Sequence, residues 1–124
     1  MLRACYVGYE PIKNHDKRRA FIYLVFTESV GDTSFVKVGM SNHPEKRVMS
    51  YATACPLRIR KFFLAEYIGR NKAFGAEQSI LRKLGGLRYK GEWARIQGDN
   101  DLDMVMLAAT GVAPHLVEYP VIHQ

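Results

Sequence analysis

The chain predicts an α+β fold, a small antiparallel sheet flanked by helices. Three observations carry that expectation. Two runs rich in β-branched and aromatic residues, 20–27 (AFIYLVFT) and 35–40 (FVKVGM), are separated by a Gly31-Asp32 turn signal, as in an antiparallel hairpin. Helix start and stop signals punctuate the stretches that follow. The strands and helices also lack the regular alternation that builds a parallel sheet.

Each element has its own justification. Ser41 or Asn42 can cap a first helix, with Pro44 in its first turn and Glu45 complementing the positive end of its dipole. That helix should end before Pro56. Residues 57–68 (LRIRKFFLAEYI) read as a long strand. Asn71 can cap a second helix, which runs to the Gly85-Gly86 stop signal. A short strand around 93–96 follows. Asp99, Asn100 or Asp101 can cap a third helix, 102–110, closed by Gly111, whose Leu102, Val105, Met106 and Ala109 make a buried face. Residues 116–122 fit an edge strand, because Pro120 cannot donate to a central ladder. The first ten residues can form another.

The 124 residues suit one domain, spanning 1–124, and no repeat or low-complexity linker divides them. No apolar run approaches the roughly 18 to 20 residues that cross a bilayer, and the start lacks the apolar stretch of a signal peptide. A cytoplasmic protein without membrane contact is the expectation. Cys5 and Cys55 show no CxxC spacing; they fit free thiols in a reducing compartment, although one disulfide is open to them. The four histidines, His15, His43, His115 and His123, include no i, i+4 pair, so nothing reads as a zinc site.

Charge is unevenly distributed. All 18 Lys and Arg precede Ile96, while four of the 12 acids (Asp99, Asp101, Asp103, Glu118) follow it. A basic body thus precedes an acidic C-terminal helix and tail, 97–124. Nine basic residues fall between Arg58 and Lys90, against only Glu66 and Glu77. Such a stripe attracts a polyanion by counterion release, and a solvated face is its blander reading.

One residue breaks the pattern of the second helix. Positions 73, 74, 77, 80, 81 and 84 share a face at 100° per residue, and five of them are Ala73, Phe74, Ile80, Leu81 and Leu84. The sixth is Glu77. A carboxylate facing a core is costly unless it pairs, binds a metal or stays protonated, so an ion pair or a rim position are the alternatives to a functional role. Glu92, in Gly91-Glu92-Trp93, can simply face solvent. Arg47 shares a helix face with Pro44 and Tyr51 and can present its fork to a phosphate, or be a surface arginine. In an in-register hairpin Tyr23 and Lys37 share a face; each also has a structural reading, as a core tyrosine and a solvated lysine.

These residues, taken in order, resemble the GIY-YIG nuclease superfamily. Phe21-Ile22-Tyr23, Lys37-Val38-Gly39 and Arg47 match its GIY…YIG…Arg core, and Ala76-Glu77 and Gly91-Glu92-Trp93 are similar to the later elements of a short phage and bacterial branch in which the second motif often reads KIG. The resemblance covers 20–96. It implies a small antiparallel sheet flanked by helices and phosphodiester hydrolysis of DNA with one divalent ion, Mg²⁺ or Mn²⁺. It implies that Glu77 holds the metal, Arg47 neutralises the scissile phosphate, and Tyr23 positions or deprotonates the attacking water. Lys37, in place of the second family tyrosine, would contact the phosphate or depress the Tyr23 pKa. Within the basic stripe, Arg58, Arg60, Lys61, Arg82 and Lys83 are the candidate nucleic-acid contacts. The sequence departs from the family pattern at Phe21 (glycine), at Leu81 (often histidine) and at Ala94 (usually aromatic). A catalytically inactive module that binds nucleic acid or a host protein is the alternative, and an acidic tail on another copy's basic stripe would give a homodimer.

Overall fold

The computed structural model describes residues 5–7, 19–54, 56–119 and 121–123, with side chains for 19–51 and 56–119. His15 and the side chains of the two cysteines and of His123 lie outside these, so the thiol expectation is not addressed by the described residues. The elements run β1 (Cys5–Val7), β2 (Arg19–Thr27), β3 (Thr33–Ser41), α1 (Pro44–Ala54), β4 (Ile59–Ile68), α2 (Arg70–Leu84), a 3-10 turn (Gly85–Leu87), β5 (Arg88–Lys90), β6 (Trp93–Gln97), α3 (Gly98–Val112), β7 (Val117–Tyr119) and β8 (Val121–His123). The fold is α+β: among the described residues, a six-stranded antiparallel sheet in the order β5-β6-β3-β2-β4-β7, with three helices and no closure into a barrel. β1 and β8 form a separate antiparallel pair. No helix among the described residues is long and apolar enough to cross a membrane.

β2 is buried from Ala20 to Thr27 because it lies mid-sheet with a helix layer over each face. Its alternate residues enter different cores. Ile22, Leu24 and Phe26 join Val36, Val38, Ile80, Leu84 and Val105 in the core beneath α2 and α3. Phe21, Tyr23 and Val25 join Val48, Phe62 and Leu64 beneath α1. The sheet is therefore the middle of three layers, and anything that reacts at its centre must be reached from an edge.

Several boundaries depart from the sequence reading for local reasons. α2 starts at Arg70, with Gly69 at φ 103° in the cap position and no side-chain cap, so a glycine turn and not Asn71 begins the helix. α3 starts four residues earlier than expected, at Gly98, and the Asp101 carboxylate reaches back to accept the Gln97 N–H at 2.9 Å. The tail forms two strands, β7 on the sheet edge beside β4 and β8 on β1. β5 was not expected; it pairs with β6 through a tight turn in which Gly91 takes φ 58°. Phe74 is a correction. It is 52% exposed, at the margin of the apolar arc, and Ala76 takes the inward place.

Candidate active site

The candidate site begins with a close approach of two strands. Tyr23 of β2 lies directly across from Gly39 of β3, and a Cβ at position 39 would collide with the Tyr23 phenol. Glycine is required here for space, since the end of the Tyr23 ring occupies the place of a Cβ. The hydroxyl then reaches the α1 layer, 2.7 Å from that of Tyr51. Burial pushes the Tyr23 phenol well above the ordinary range, and its bond to Tyr51 adds to this; the Arg47 guanidinium opposes and Glu92 reinforces the shift. Tyr23 is thus held as a neutral phenol.

α1 brings Arg47 and Tyr51 to the sheet by its four-residue spacing. Arg47 itself is exposed, and its charge is felt at the Tyr23 hydroxyl. The expected capping is redistributed: Ser41 Oγ accepts the His43 N–H at 2.9 Å, while Asn42 donates to the Arg19 carbonyl and accepts from Arg70, tying the start of α1 to β2 and α2.

Lys37 sits between two aromatic rings, its Nζ 5.1 Å from the Tyr51 centroid and 5.5 Å from that of Trp93, its cross-strand partner. The rings of Tyr51 and Trp93 meet edge to face at 6.2 Å. This ordering fixes an ammonium that a solvated lysine would leave free to wander. Lys37 acts on Glu77, whose pKa it lowers, and does not figure among the causes of the Tyr23 shift.

Glu77 is buried at 6% exposure on the α2 face of the sheet. Desolvation raises its pKa most; a hydrogen bond from Gln78, at 3.0 Å, opposes this, while the nearby Glu92 carboxyl raises it further and Lys37 lowers it. Glu92 thus acts on Glu77 and is not simply solvent-facing, which corrects that reading of the loop position. It is half-buried because the Gly91-Glu92 turn folds it onto β3: its carbonyl accepts the Val38 N–H at 3.2 Å, and Arg88 holds the preceding Gly91 carbonyl at 2.9 Å. The signal was present in sequence, as a Gly-Glu pair between two short strand-forming runs.

These groups come from both faces of the sheet, and Glu92 acts on one from each. β6 pairs with β3 only from Thr33 to Lys37, so among the described residues no strand covers Gly39–Ser41 on that side. Tyr23 lies across this open end at Gly39 with Tyr51 bonded to it in the α1 layer, while Glu77 belongs to the α2 layer. Glu92 is within electrostatic reach of both Tyr23 and Glu77.

The five basic contacts expected from the sequence are all exposed, but they are divided. Arg58, Arg60 and Lys61 lie at the start of β4, where the Arg58 N–H donates to Glu28 Oε1 at 3.0 Å. Arg82 and Lys83 lie in the last turn of α2, and Lys83 Nζ approaches Gly111 near the C-terminus of α3, where a cation is favoured. No group of three or more His, Cys, Asp or Glu that could hold a metal occurs among the described residues; the available donors are the two carboxylates.

Among known proteins, a family model described as the T5orf172 domain matches residues 20–106. No curated protein and no solved structure matches the chain. The matched span runs from β2 into α3 and contains every residue of the site just described.

Proposed function

The chain belongs to the T5orf172 domain family, and from that premise and the site geometry we propose a divalent-metal-dependent nuclease that hydrolyses phosphodiester bonds in DNA. One observation carries the reading: Glu77 is a buried carboxylate set against a second carboxylate, Glu92. A pair of this kind retains a proton or takes a cation. The resemblance of Phe21–Trp93 to the GIY-YIG superfamily supports the cation.

The residues fit Mg²⁺ or Mn²⁺. Such hard ions take oxygen donors and often only one or two carboxylates, leaving positions for water and substrate phosphate. Glu77 and Glu92 would hold the ion, which would supply Lewis-acid stabilisation of charge on the phosphate oxygens. The other roles belong to the chain itself. Arg47, exposed beside the Tyr23 hydroxyl, would neutralise the charge that builds on the scissile phosphate. Tyr23, kept neutral by burial and by Tyr51, would position the attacking water by hydrogen bonding; deprotonation of that water is the less suitable role for so disfavoured a phenolate. Lys37, clamped by Tyr51 and Trp93, would keep a positive charge beside the carboxylates and the incoming strand.

The test is nicking of supercoiled plasmid with Mg²⁺ or Mn²⁺. Wild type should nick, Glu77→Ala should not, and Arg47→Ala should be slower by about 10²- to 10³-fold, the usual loss of one transition-state charge stabiliser. Equal nicking by all three would indicate a contaminant and remove the assignment. The separation of the exposed basic side chains from the carboxylates favours a second reading, a nucleic-acid-binding module without catalysis. Salt-sensitive duplex binding with no cleavage under any metal would select it.

A further inference from the structure

On the α1 side of β3, beside the candidate site, a groove of about 230 Å³ is lined by Phe35, Leu57, Tyr89, Lys90 and Trp93, among others. Its volume is below the roughly 300 to 1,000 Å³ of pockets that take drug-sized molecules, and it suits a single planar ring system. Tyr89 is 61% exposed on a strand, β5, whose three residues all face solvent. Its ring lies 5.7 Å from that of Phe35, and the Arg95 guanidinium stands 5.4 Å from its centroid. Trp93 belongs both to this groove and to the clamp on Lys37.

We propose that the groove is a subsite for one unstacked nucleobase of the strand whose phosphates meet Lys37 and Arg47, an assignment that rests on the nuclease reading above. The lining offers aromatic faces and no carboxylate among its described residues, with Lys90 in the wall and Arg95 beside it, which matches a polyanion carrying a flat apolar ring. Every base has a π-face, so such a site selects unpaired strand and not sequence. A base inside an intact duplex cannot enter it without leaving the stack. The enzyme would accordingly prefer single-stranded or frayed DNA at the scissile position.

Trp93 is the chain's one tryptophan, so its fluorescence reports directly on the groove. The intact protein is titrated in EDTA with a thymidine single strand, an abasic strand of equal length and a blunt duplex. The base-bearing strand should quench Trp93 and bind about tenfold more tightly than the abasic strand, on the scale of one lost stacking contact. Tyr89→Ala should remove that advantage while leaving abasic binding unchanged. Equal quenching and affinity for the two single strands, or full base dependence in Tyr89→Ala, overturns the subsite. A protein that nicks plasmid but ignores bases loses the subsite and keeps the nuclease reading. One that discriminates bases but never nicks does the reverse, and one that binds no strand loses both.

Discussion

On the α1 face of the sheet, Tyr23 is buried with its hydroxyl bonded to Tyr51; on the α2 face, Glu77 is buried against a second carboxylate. Both polar groups feel the Glu92 carboxylate, and both have raised pKa values for which desolvation is the first cause. They differ in what the neighbour contributes. For Tyr23 the neighbour is a neutral partner that satisfies it, so the pair is stable as it stands. For Glu77 one neighbour is a like charge, offset only in part by Gln78 and the Lys37 ammonium, so the pair favours a proton or a further cation. A satisfied buried network fixes geometry, whereas a dissatisfied one marks where a ligand belongs.

The strongest way to break this contrast is through Glu92. If the two carboxylates hold the ion together, Glu92→Ala should cut metal-dependent nicking by more than the roughly 10- to 100-fold lost with a residue that only supports a metal ligand. Tyr51→Phe should cost less activity. A Glu92→Ala protein that nicks at the wild-type rate in saturating Mn²⁺ would return Glu92 to the solvent-facing role first read from the sequence.

The next effect concerns the fold beneath both groups. Gly39→Ala places a methyl group against the Tyr23 ring in a packed strand, and overpacking of this kind costs about 1–3 kcal/mol. Urea unfolding should show a lower midpoint, and Tyr23→Leu in the same chain should recover much of it. No recovery would mean that the strain lies elsewhere.

Much of the fold could be read from the chain because hydrophobic pattern and punctuation agree. The run 20–27 is apolar on both faces, as a central strand must be, and Gly85-Gly86 ends α2. What escaped was set by tertiary contact. Nothing local distinguishes Phe74 from its inward neighbours, since it lies at the margin of an arc whose width depends on how closely the sheet approaches. Glu77 stood out as an acid in an apolar stripe, but its partner did not, because Glu92 reaches it only once β6 pairs with β3 and the Glu92 carbonyl accepts the Val38 N–H. Arg47 and Tyr51 could be paired by spacing, while the Tyr23–Tyr51 bond joins residues 28 apart and needed the three-layer packing.

A smaller effect separates the two hydroxyls. Tyr51→Phe leaves the Tyr23 hydroxyl buried without that bond, at a cost of about 1–2 kcal/mol, whereas replacing both by phenylalanine should cost little more than either single change. Additive losses in the double-mutant cycle would show that the two phenols act independently.

The smallest effect has the opposite sign and tests the carboxylates by pH. Glu77 has a folded-state pKa above its ordinary value of 4.5, so between those values the folded protein binds more protons than the unfolded chain. Stability then falls as pH rises. The contribution of protonated Glu77 is fully present below the unfolded value and is lost as pH passes through the folded one. Glu77→Gln removes this dependence and the repulsion with Glu92, so it should match wild type near pH 4.5 and become the more stable protein as pH rises toward neutrality. A divalent ion should erase the difference from the other side, raising wild-type stability by about 1.4 kcal/mol at ten times its dissociation constant and leaving Glu77→Gln unmoved. If thermal melts show both proteins responding equally to Mn²⁺, the ion binds elsewhere, and the Glu77–Glu92 pair is a proton-sharing contact like any other buried acid dyad.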